Sequence, residues 1–238
     1  MHLVPKTKTK SAEQGERRLY GRRKGHRLSP RRRKLVDTLL PELRVDLGAG
    51  PPQDLADLFS KPVEQVWLEI GFGAGEHLAW QAARNPGLGI LGSEAFINGV
   101  AALLTSIESQ KLDNVRLHDG DARDLLDWLP DAGLARIFVL FPDPWPKKRH
   151  RRRRLFSPAT VAQFARALRP GGELRTATDI GDYACAMLVA MQQESAFEWR
   201  AERASDWRER PSDWPQTRYE QKALREGRTP YFLTFERL

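Results

Sequence analysis

One stretch constrains the fold of this chain more than any other, the strand-like run and glycines of residues 66–75. The apolar segment Val66–Ile70 has the length of a buried strand, and glycines follow it at the alternate positions 71, 73 and 75. This pattern predicts a strand, a tight turn and then a helix over residues 76–84. A turn without Cβ atoms lets a ligand lie on its backbone, and the first helical amides point into the same crevice. The stretch therefore predicts a site for a nucleotide-like cofactor.

The glycine spacing argues against a nicotinamide dinucleotide. A dinucleotide site requires Gly-x-Gly-x-x-Gly, and the third glycine would fall at Glu76. Glu69, two residues before the first glycine, can accept hydrogen bonds from a cofactor ammonium, whereas it would repel a pyrophosphate. The pattern Glu69-x-Gly71-x-Gly73-x-Gly75 resembles motif I of the S-adenosylmethionine-dependent methyltransferases, whose cofactor has an amino-acid end and no phosphate. On the motif alone, a glycine-rich turn that binds nothing stays an alternative.

Length and composition favour one cytoplasmic domain with additions at its ends. The 238 residues are enough to bury a core. The single cysteine, Cys185, excludes an intramolecular disulfide and a Cys-based zinc cluster, so a reducing cytosol fits, and we expect Cys185 in the core. The N-terminus has no apolar signal region, and no run approaches the roughly 18 apolar residues of a membrane span. We therefore expect no membrane partner and no metal, and a monomer or a homodimer.

The positive charge is concentrated in two blocks. The net charge is +8, yet residues 1–34 alone have 13 Lys/Arg and two Glu, and residues 147–154 have seven Lys/Arg and no acid. The rest of the chain is therefore acidic, and two basic blocks on an acidic body indicate a polyanion partner. Residues 1–28 are polar and basic, which predicts a disordered or extended arm.

Beyond the arm, strands and helices alternate. Ser29-Pro30 predicts the start of a helix that Pro41 ends, so residues 29–62 form a helical extension before a main domain of residues 63–238. The predicted strands are 66–70, 89–93, 115–118, 136–141, 173–178, 197–201 and 231–235. The predicted helices between and after them are 76–84, 100–111, a short one near 125–128, 158–168, 183–193 and 220–227. This alternation predicts an α/β fold with a doubly wound, mostly parallel sheet of seven strands.

Acidic residues lie at the carboxyl ends of three of the predicted strands. Ligands of a doubly wound sheet lie at the carboxyl ends of its strands. Glu94 lies 23 residues after Gly71, where a carboxylate can take both ribose hydroxyls of an adenosine. Asp121 ends the third strand and can accept the adenine amino group. Together with Glu69 they predict a cradle for an adenosyl ligand with an amino-acid tail.

The segment Phe141-Pro-Asp-Pro-Trp-Pro146 is the most specific motif in the chain. Its prolines make a stiff loop that holds Asp143 in place, and the basic block follows at once. The loop resembles the Asp-Pro-Pro-Tyr loop of methyltransferases that modify exocyclic amines. With the following Lys-Lys-Arg-His, it is closer to the bacterial tRNA (guanine-N7)-methyltransferase family. Thr178-Asp179 and Thr217-Arg218-Tyr219-Glu220, where the family pattern is Thr-Lys-Phe-Glu, extend the resemblance over residues 65–238.

The resemblance implies a Rossmann-like class I methyltransferase with S-adenosyl-L-methionine as cofactor and tRNA as partner. It also implies a role for each group of motif residues. Cofactor contacts would come from Glu69, Gly71, Gly73, Gly75, Glu94, Asp121 and Asp143, with Asp143 also the catalytic acid group. The guanosine would be held by Lys147, Asp179, Thr217, Arg218, Tyr219 and Glu220. The RNA backbone would be met by Arg149, His150, Arg151, Arg152, Arg153 and Arg154.

The implied reaction is methylation of guanine N7 at position 46 of the tRNA variable loop. Guanine N7 already carries an in-plane lone pair, so the attack needs positioning and no general base. For Trp145 we favour a role in packing over one in stacking on a base. The alternatives are methylation of another RNA or of an exocyclic amine, or RNA binding by a fold without activity. A nicotinamide oxidoreductase is opposed by the glycine spacing.

Overall fold

A computed structural model describes residues 19–238, so residues 1–18 of the expected arm lie outside the described residues. Seven strands form one sheet. They are β1 (Gln65–Ile70), β2 (Leu88–Ser93), β3 (Val115–His118), β4 (Leu134–Leu140), β5 (Leu168–Thr178), β6 (Phe197–Trp199) and β7 (Tyr231–Arg237). Their order is β3-β2-β1-β4-β5-β7-β6.

The pairing confirms the predicted fold class. Strand β1 pairs in parallel with both β2 and β4, and β5 continues the parallel sheet beside β4. Only β7 is antiparallel, inserted between β5 and β6. The chain order reverses between β1 and β4, because β2 and β3 lie on one side of β1 and β4 on the other. In open α/β sheets this switch point is where ligands bind.

Helices cover both faces of the sheet. They are α1 (Pro30–Thr38), α2 (Leu40–Leu43), α3 (Glu76–Arg84), α4 (Ile97–Gln110), α5 (Ala122–Trp128), α6 (Pro158–Ala167), α7 (Gly181–Gln192), α8 (Ser205–Arg208) and α9 (Arg218–Arg225). Short 3-10 helices cover Leu47–Ala49, Leu55–Leu58 and Lys148–Arg153. None of the helices in residues 19–238 is long and apolar enough to cross a bilayer.

Alternation along β1 directs its side chains to apolar clusters on the two faces of the sheet. Leu68 belongs to the large apolar cluster that contains Leu125 and Phe164, from α5 and α6. Trp67 packs in a separate cluster with Phe138 of β4. Because successive strand residues point to opposite faces, Glu69 lies on the Trp67 side.

The structure corrects the predicted role of Pro41. Helix α1 already ends at Thr38, and Pro41 lies in the first turn of α2. A proline is well tolerated there because a first-turn N–H has no partner inside its helix. Ser29 does cap α1, accepting a hydrogen bond from the Arg32 amide at 3.4 Å.

Two further expectations are also wrong. Cys185 is exposed on α7 rather than buried in the core. Strand β5 begins at Leu168, five residues before the predicted start, because Leu168 pairs with Leu134 across a bulge that accommodates Arg169–Gly172. Gly171 provides the positive φ of 74° within this bulge.

Helix α4 packs directly on the glycine turn after β1. Gly71, Gly73 and Gly75 have φ values of 70°, 57° and 77°, which side chains with a Cβ rarely adopt. A Cβ on Gly99, in the first turn of α4, would lie 2.2 Å from the carbonyl oxygen of Gly73. The helix can therefore approach the turn only because position 99 is glycine.

We predict that Gly99→Ala destabilises the protein, by about 1–3 kcal/mol, because the new methyl group overlaps backbone that cannot move without breaking the turn. Alanine would otherwise favour a helix over glycine. Ser106→Ala, on the same helix, is the matched control and should change the free energy of unfolding by less than about 0.5 kcal/mol. Urea unfolding of both variants measures the difference, and a Gly99→Ala protein as stable as the parent would refute the contact.

Candidate active site

A cleft of about 630 Å³ opens at the carboxyl ends of β1, β2 and β4. This volume lies in the usual range of small-molecule sites. Gly71, Gly73, Glu94, Asp121 and Asp143, all identified from the sequence, line the cleft together. Its other walls include Tyr219, Arg152, Arg153, Arg154 and residues 19–22. Glu69, Gly75, Lys147 and Asp179 are not among the lining residues.

The glycine turn leaves room for a ligand at its first position. A Cβ on Gly71 would meet no atom within 4 Å, so this backbone faces open space in the cleft. Gly75 differs, because a Cβ there would lie 2.6 Å from Leu103 of α4. The role of Gly75 is therefore to allow close packing of α4. The open backbone and the carboxylates around it fit a cofactor with an amino-acid end and an adenosyl group, and no phosphate.

Glu69 lies beneath the turn and is only 3% exposed. Its Oε2 is 2.7 Å from Nδ1 of His77, which is itself 2% exposed, in the first turn of α3. A buried carboxylate needs such a partner, because burial of an unpaired charge is costly. His77 is not among the site residues predicted from the sequence, although its place just after the glycine turn could have indicated a contact with the acid of β1.

Glu94 ties the turn to the next strand. Its Oε2 accepts the Gly73 amide at 2.8 Å, and its Oε1 accepts the Phe96 amide at 2.9 Å. Desolvation raises the pKa of Glu94, and the nearby Asp143 charge adds to this, while the backbone amides oppose it. Each oxygen keeps a second lone pair for a ligand hydroxyl.

Asp121 is the N-cap of α5 and accepts the Arg123 amide at 3.0 Å. The guanidinium of Arg123 also binds this carboxylate, with Nε 3.0 Å from Oδ1. The Asp121 carboxylate is thus held in one orientation at the cleft wall by the helix cap and by its own neighbour.

The loop after β4 is bent by two residues with unusual backbone. Phe141 and Trp145 have positive φ values of 50° and 40°, a conformation that costs energy in residues other than glycine and clusters at functional sites. Between them, Asp143 is exposed to the cleft, and desolvation by the surrounding protein raises its pKa. Trp145 packs edge-on against His150 at 6.0 Å and Tyr20 at 6.4 Å.

The basic segment divides into residues that hold the loop and residues that face solvent. Arg154 is buried, donates to the Pro144 carbonyl at 2.8 Å and to Asp182 at 2.6 Å, and lies over the Tyr183 ring. Arg151 binds the same Asp182 at 2.9 Å. The Arg153 guanidinium lies over both the Tyr20 and the Trp145 rings. The exposed cations of this segment are Lys147, Lys148, Arg149, Arg151 and Arg152.

The motif at residues 217–220 is first of all a helix start. Thr217 caps α9 by accepting the Glu220 amide at 3.3 Å, and Glu220 accepts in return from the Thr217 backbone, which makes a capping box. Buried Glu220 also pairs with Arg210 at 3.1 Å. Desolvation raises the pKa of Glu220, and Arg210 opposes this rise.

The same motif is fixed to the cofactor side of the cleft. The Arg218 amide donates to Glu76 at the start of α3, at 2.9 Å, and its guanidinium pairs with the same carboxylate. The Tyr219 ring lies against Gly73, 3.2 Å from where a Cβ would be, and is 58% exposed. Asp179, after β5, instead binds Nε of Arg228 at 2.6 Å.

No group of three or more His, Cys, Asp or Glu side chains in residues 19–238 is arranged to hold a metal ion.

The fold and the cleft together define a class I methyltransferase. Solved structures with the same fold include the aminoglycoside resistance methyltransferase NpmB1, 15% identical, with a TM-score of 0.51 over 79% of this chain and 95% of that one. An antibiotic related methyltransferase is 14% identical, with a TM-score of 0.55 over 74% and 89%.

Sequence comparison gives the particular family. A family described as putative methyltransferase matches residues 63–233. Relatives named tRNA (guanine-N(7)-)-methyltransferase are 52% identical in Rhodospirillum rubrum, over 92% of this chain and 88% of the relative, and 52% identical in Ruegeria pomeroyi, over 93% and 95%. The chain belongs to the tRNA (guanine-N7)-methyltransferase family. Its cofactor is S-adenosyl-L-methionine.

We predict that Arg154→Ala destabilises the protein by about 1–3 kcal/mol, because the variant leaves the Pro144 carbonyl and Asp182 without their charged donor. Arg152→Ala removes a solvent-exposed arginine two positions away and should cost less than about 0.5 kcal/mol. Chemical unfolding of the two variants compares them directly. Equal stabilities would mean that Arg154 does not hold the loop.

Proposed function

We propose that this chain transfers a methyl group from S-adenosylmethionine to N7 of guanine 46 in the tRNA variable loop. The observation that carries this proposal is the position of Asp143. It lies in a strained loop at the edge of the cofactor cleft, and exposed cations follow directly along the chain. A base bound at Asp143 therefore has the cofactor cleft on one side and a phosphate-binding surface on the other.

The cofactor supplies a methyl group on a sulfonium centre. The guanine N7 lone pair would take this methyl group in line while the bond between the methyl carbon and sulfur breaks and S-adenosylhomocysteine leaves, so the protein has to position the base and needs no general base. The purine gains positive charge during the transfer. The fixed Asp143 carboxylate stabilises that charge, and electrostatic stabilisation of this kind is commonly a large part of catalysis.

Three acidic groups and the glycine turn would each bind a different part of the cofactor. Glu69 accepts from the ammonium, Glu94 from the ribose hydroxyls and Asp121 from the adenine amino group. The turn at Gly71 and Gly73 leaves the backbone open beside them. The observed fixing of Glu94 by two backbone amides and of Asp121 by Arg123 supports these roles, because both carboxylates are oriented in advance.

Residues at both rims of the cleft would hold the guanosine and the tRNA backbone. Tyr219 is exposed beside the turn and can contact the guanosine, while Lys147, Asp179, Thr217, Arg218 and Glu220 shape or hold its pocket. Arg149, His150 and Arg151 to Arg154 belong to the RNA side. Arg149 and Arg152 are exposed and can bind phosphates, while Arg154 supports the loop. Residues 63–238 would form the catalytic domain, with residues 29–62 as its helical extension and residues 1–28 as a basic arm.

The position of the methyl group tests the proposal. We expect unmodified tRNA incubated with the protein and the cofactor to acquire 7-methylguanosine, which borohydride and aniline cleave at one place in the variable loop. A tRNA with another base at position 46 is the control and should not be cleaved. Methyl label without such cleavage, or label recovered as an exocyclic methylamine, would reject N7 as the target.

Two variants separate catalysis from cofactor binding. Asp143→Ala should lower the single-turnover rate by about 10²–10³-fold, because it removes charge stabilisation, and should leave most of the cofactor affinity. Glu69→Ala should instead weaken cofactor binding by about tenfold or more, through loss of a charged hydrogen bond. Calorimetry with the cofactor and single-turnover kinetics measure both effects. Asp143→Ala turning over at the parental rate would remove Asp143 from the mechanism.

Exposed arginines should determine how tRNA binding depends on salt. Each lost phosphate contact reduces the slope of log affinity against log salt by roughly 0.7–0.9. We therefore expect Arg149→Ala and Arg152→Ala to flatten the slope without changing cofactor affinity. Arg169→Ala is the control, because it alters an exposed arginine that donates to Gln65 at the start of β1, at the edge of the sheet away from the cleft. Unchanged slopes in both test variants would place these arginines outside the RNA interface.

A further inference from the structure

His77 belongs to a buried polar chain that leads to the cofactor acid Glu69. Its Nδ1 is 2.7 Å from Glu69 Oε2, and its Nε2 is 3.1 Å from the amide nitrogen of Gln81, one helical turn later. His77, Gln81 and Glu69 are each at most 3% exposed. None of the roles derived above uses His77 or Gln81.

The surrounding bonds determine which atoms carry hydrogen. Gln81 Nε2 lies 2.9 Å from the Asp213 carbonyl, which can only accept, and Gln81 Oε1 lies 3.2 Å from the Asn85 amide nitrogen, which can only donate. The Gln81 amide nitrogen therefore points at His77 and donates to its Nε2. A neutral imidazole has one donor and one acceptor, so the hydrogen lies on Nδ1 and is donated to Glu69.

Aromatic packing holds the imidazole in this orientation. The His77 ring meets Phe138 of β4 edge-on at 4.6 Å and Trp214 at 5.9 Å between centroids. The ring thus has polar partners at both nitrogens and aromatic walls beside it. A rotation of the imidazole would break both hydrogen bonds in a region without access to water.

We propose that His77 is a positioning residue for the cofactor, which fixes the Glu69 carboxylate so that its Oε1 is directed to the ammonium group. The bond to Oε2 settles which oxygen of the carboxylate stays available to a ligand. Gln81 and the Asp213 carbonyl act on Glu69 only through His77, because they fix the tautomer of its imidazole. This inference rests on the proposed contact between Glu69 and the ammonium.

Two substitutions of similar polarity test it. In His77→Asn the side-chain amide can occupy the place of Nδ1 and keep the donor to Glu69, whereas in His77→Gln the amide extends toward the place of Nε2. The ligands are S-adenosylmethionine and 5′-methylthioadenosine, which has the adenosyl group and no ammonium. Calorimetry gives the four dissociation constants, and those of the parent protein serve as reference.

We expect His77→Gln to weaken S-adenosylmethionine binding by about tenfold or more and to leave 5′-methylthioadenosine binding as in the parent. His77→Asn should retain most of the affinity for both. An equal loss for both ligands, no loss for either, or failure of both variants to fold would each overturn the proposal and make the bond purely structural. No RNA is used, so a protein that binds the cofactor and does not modify guanine N7 would contradict the proposed reaction alone.

Discussion

The whole site depends on one backbone constraint, the left-handed turn of Gly71, Gly73 and Gly75. The turn connects β1 directly to α3. Helix α4 packs against it, with the closest approach at Gly99. Glu94 then binds the Gly73 amide from the neighbouring strand. The cofactor cleft is therefore a consequence of close backbone packing, with the acidic side chains added at its rim.

Each side of the cleft is fixed to a helix by side-chain contacts. Asp213 accepts from Gln81 in α3, and Arg218 binds Glu76 at the start of the same helix. The segment that carries Tyr219 is thus fixed to the helix that follows the glycine turn. On the other side, Arg154 fixes the Asp143 loop to α7 through Asp182. Both rims of the site are tied to rigid elements, as precise positioning of two substrates requires.

The sequence predicted the sheet, its strands and the acids of the cleft, because strand periodicity and glycine spacing are local signals. It could not show that Arg154 is buried, because the sequence of a run of arginines is the same whether a side chain faces solvent or is buried and holds a loop. It also missed His77, whose partner Glu69 becomes a neighbour only when β1 and α3 pack together. Thr217 to Glu220 was recognised by resemblance, while its capping-box geometry could have been found from the Thr-x-x-Glu spacing.

A crystal structure with S-adenosylhomocysteine tests the central claim, that the glycine turn and its acids orient the cofactor toward Asp143. We expect the homocysteine amino group at Glu69 Oε1, the ribose hydroxyls at Glu94, the adenine at Asp121 and the sulfur facing the Asp143 loop. A ligand bound in the cleft with its sulfur directed away from Asp143, or with its amino group distant from Glu69, would contradict it.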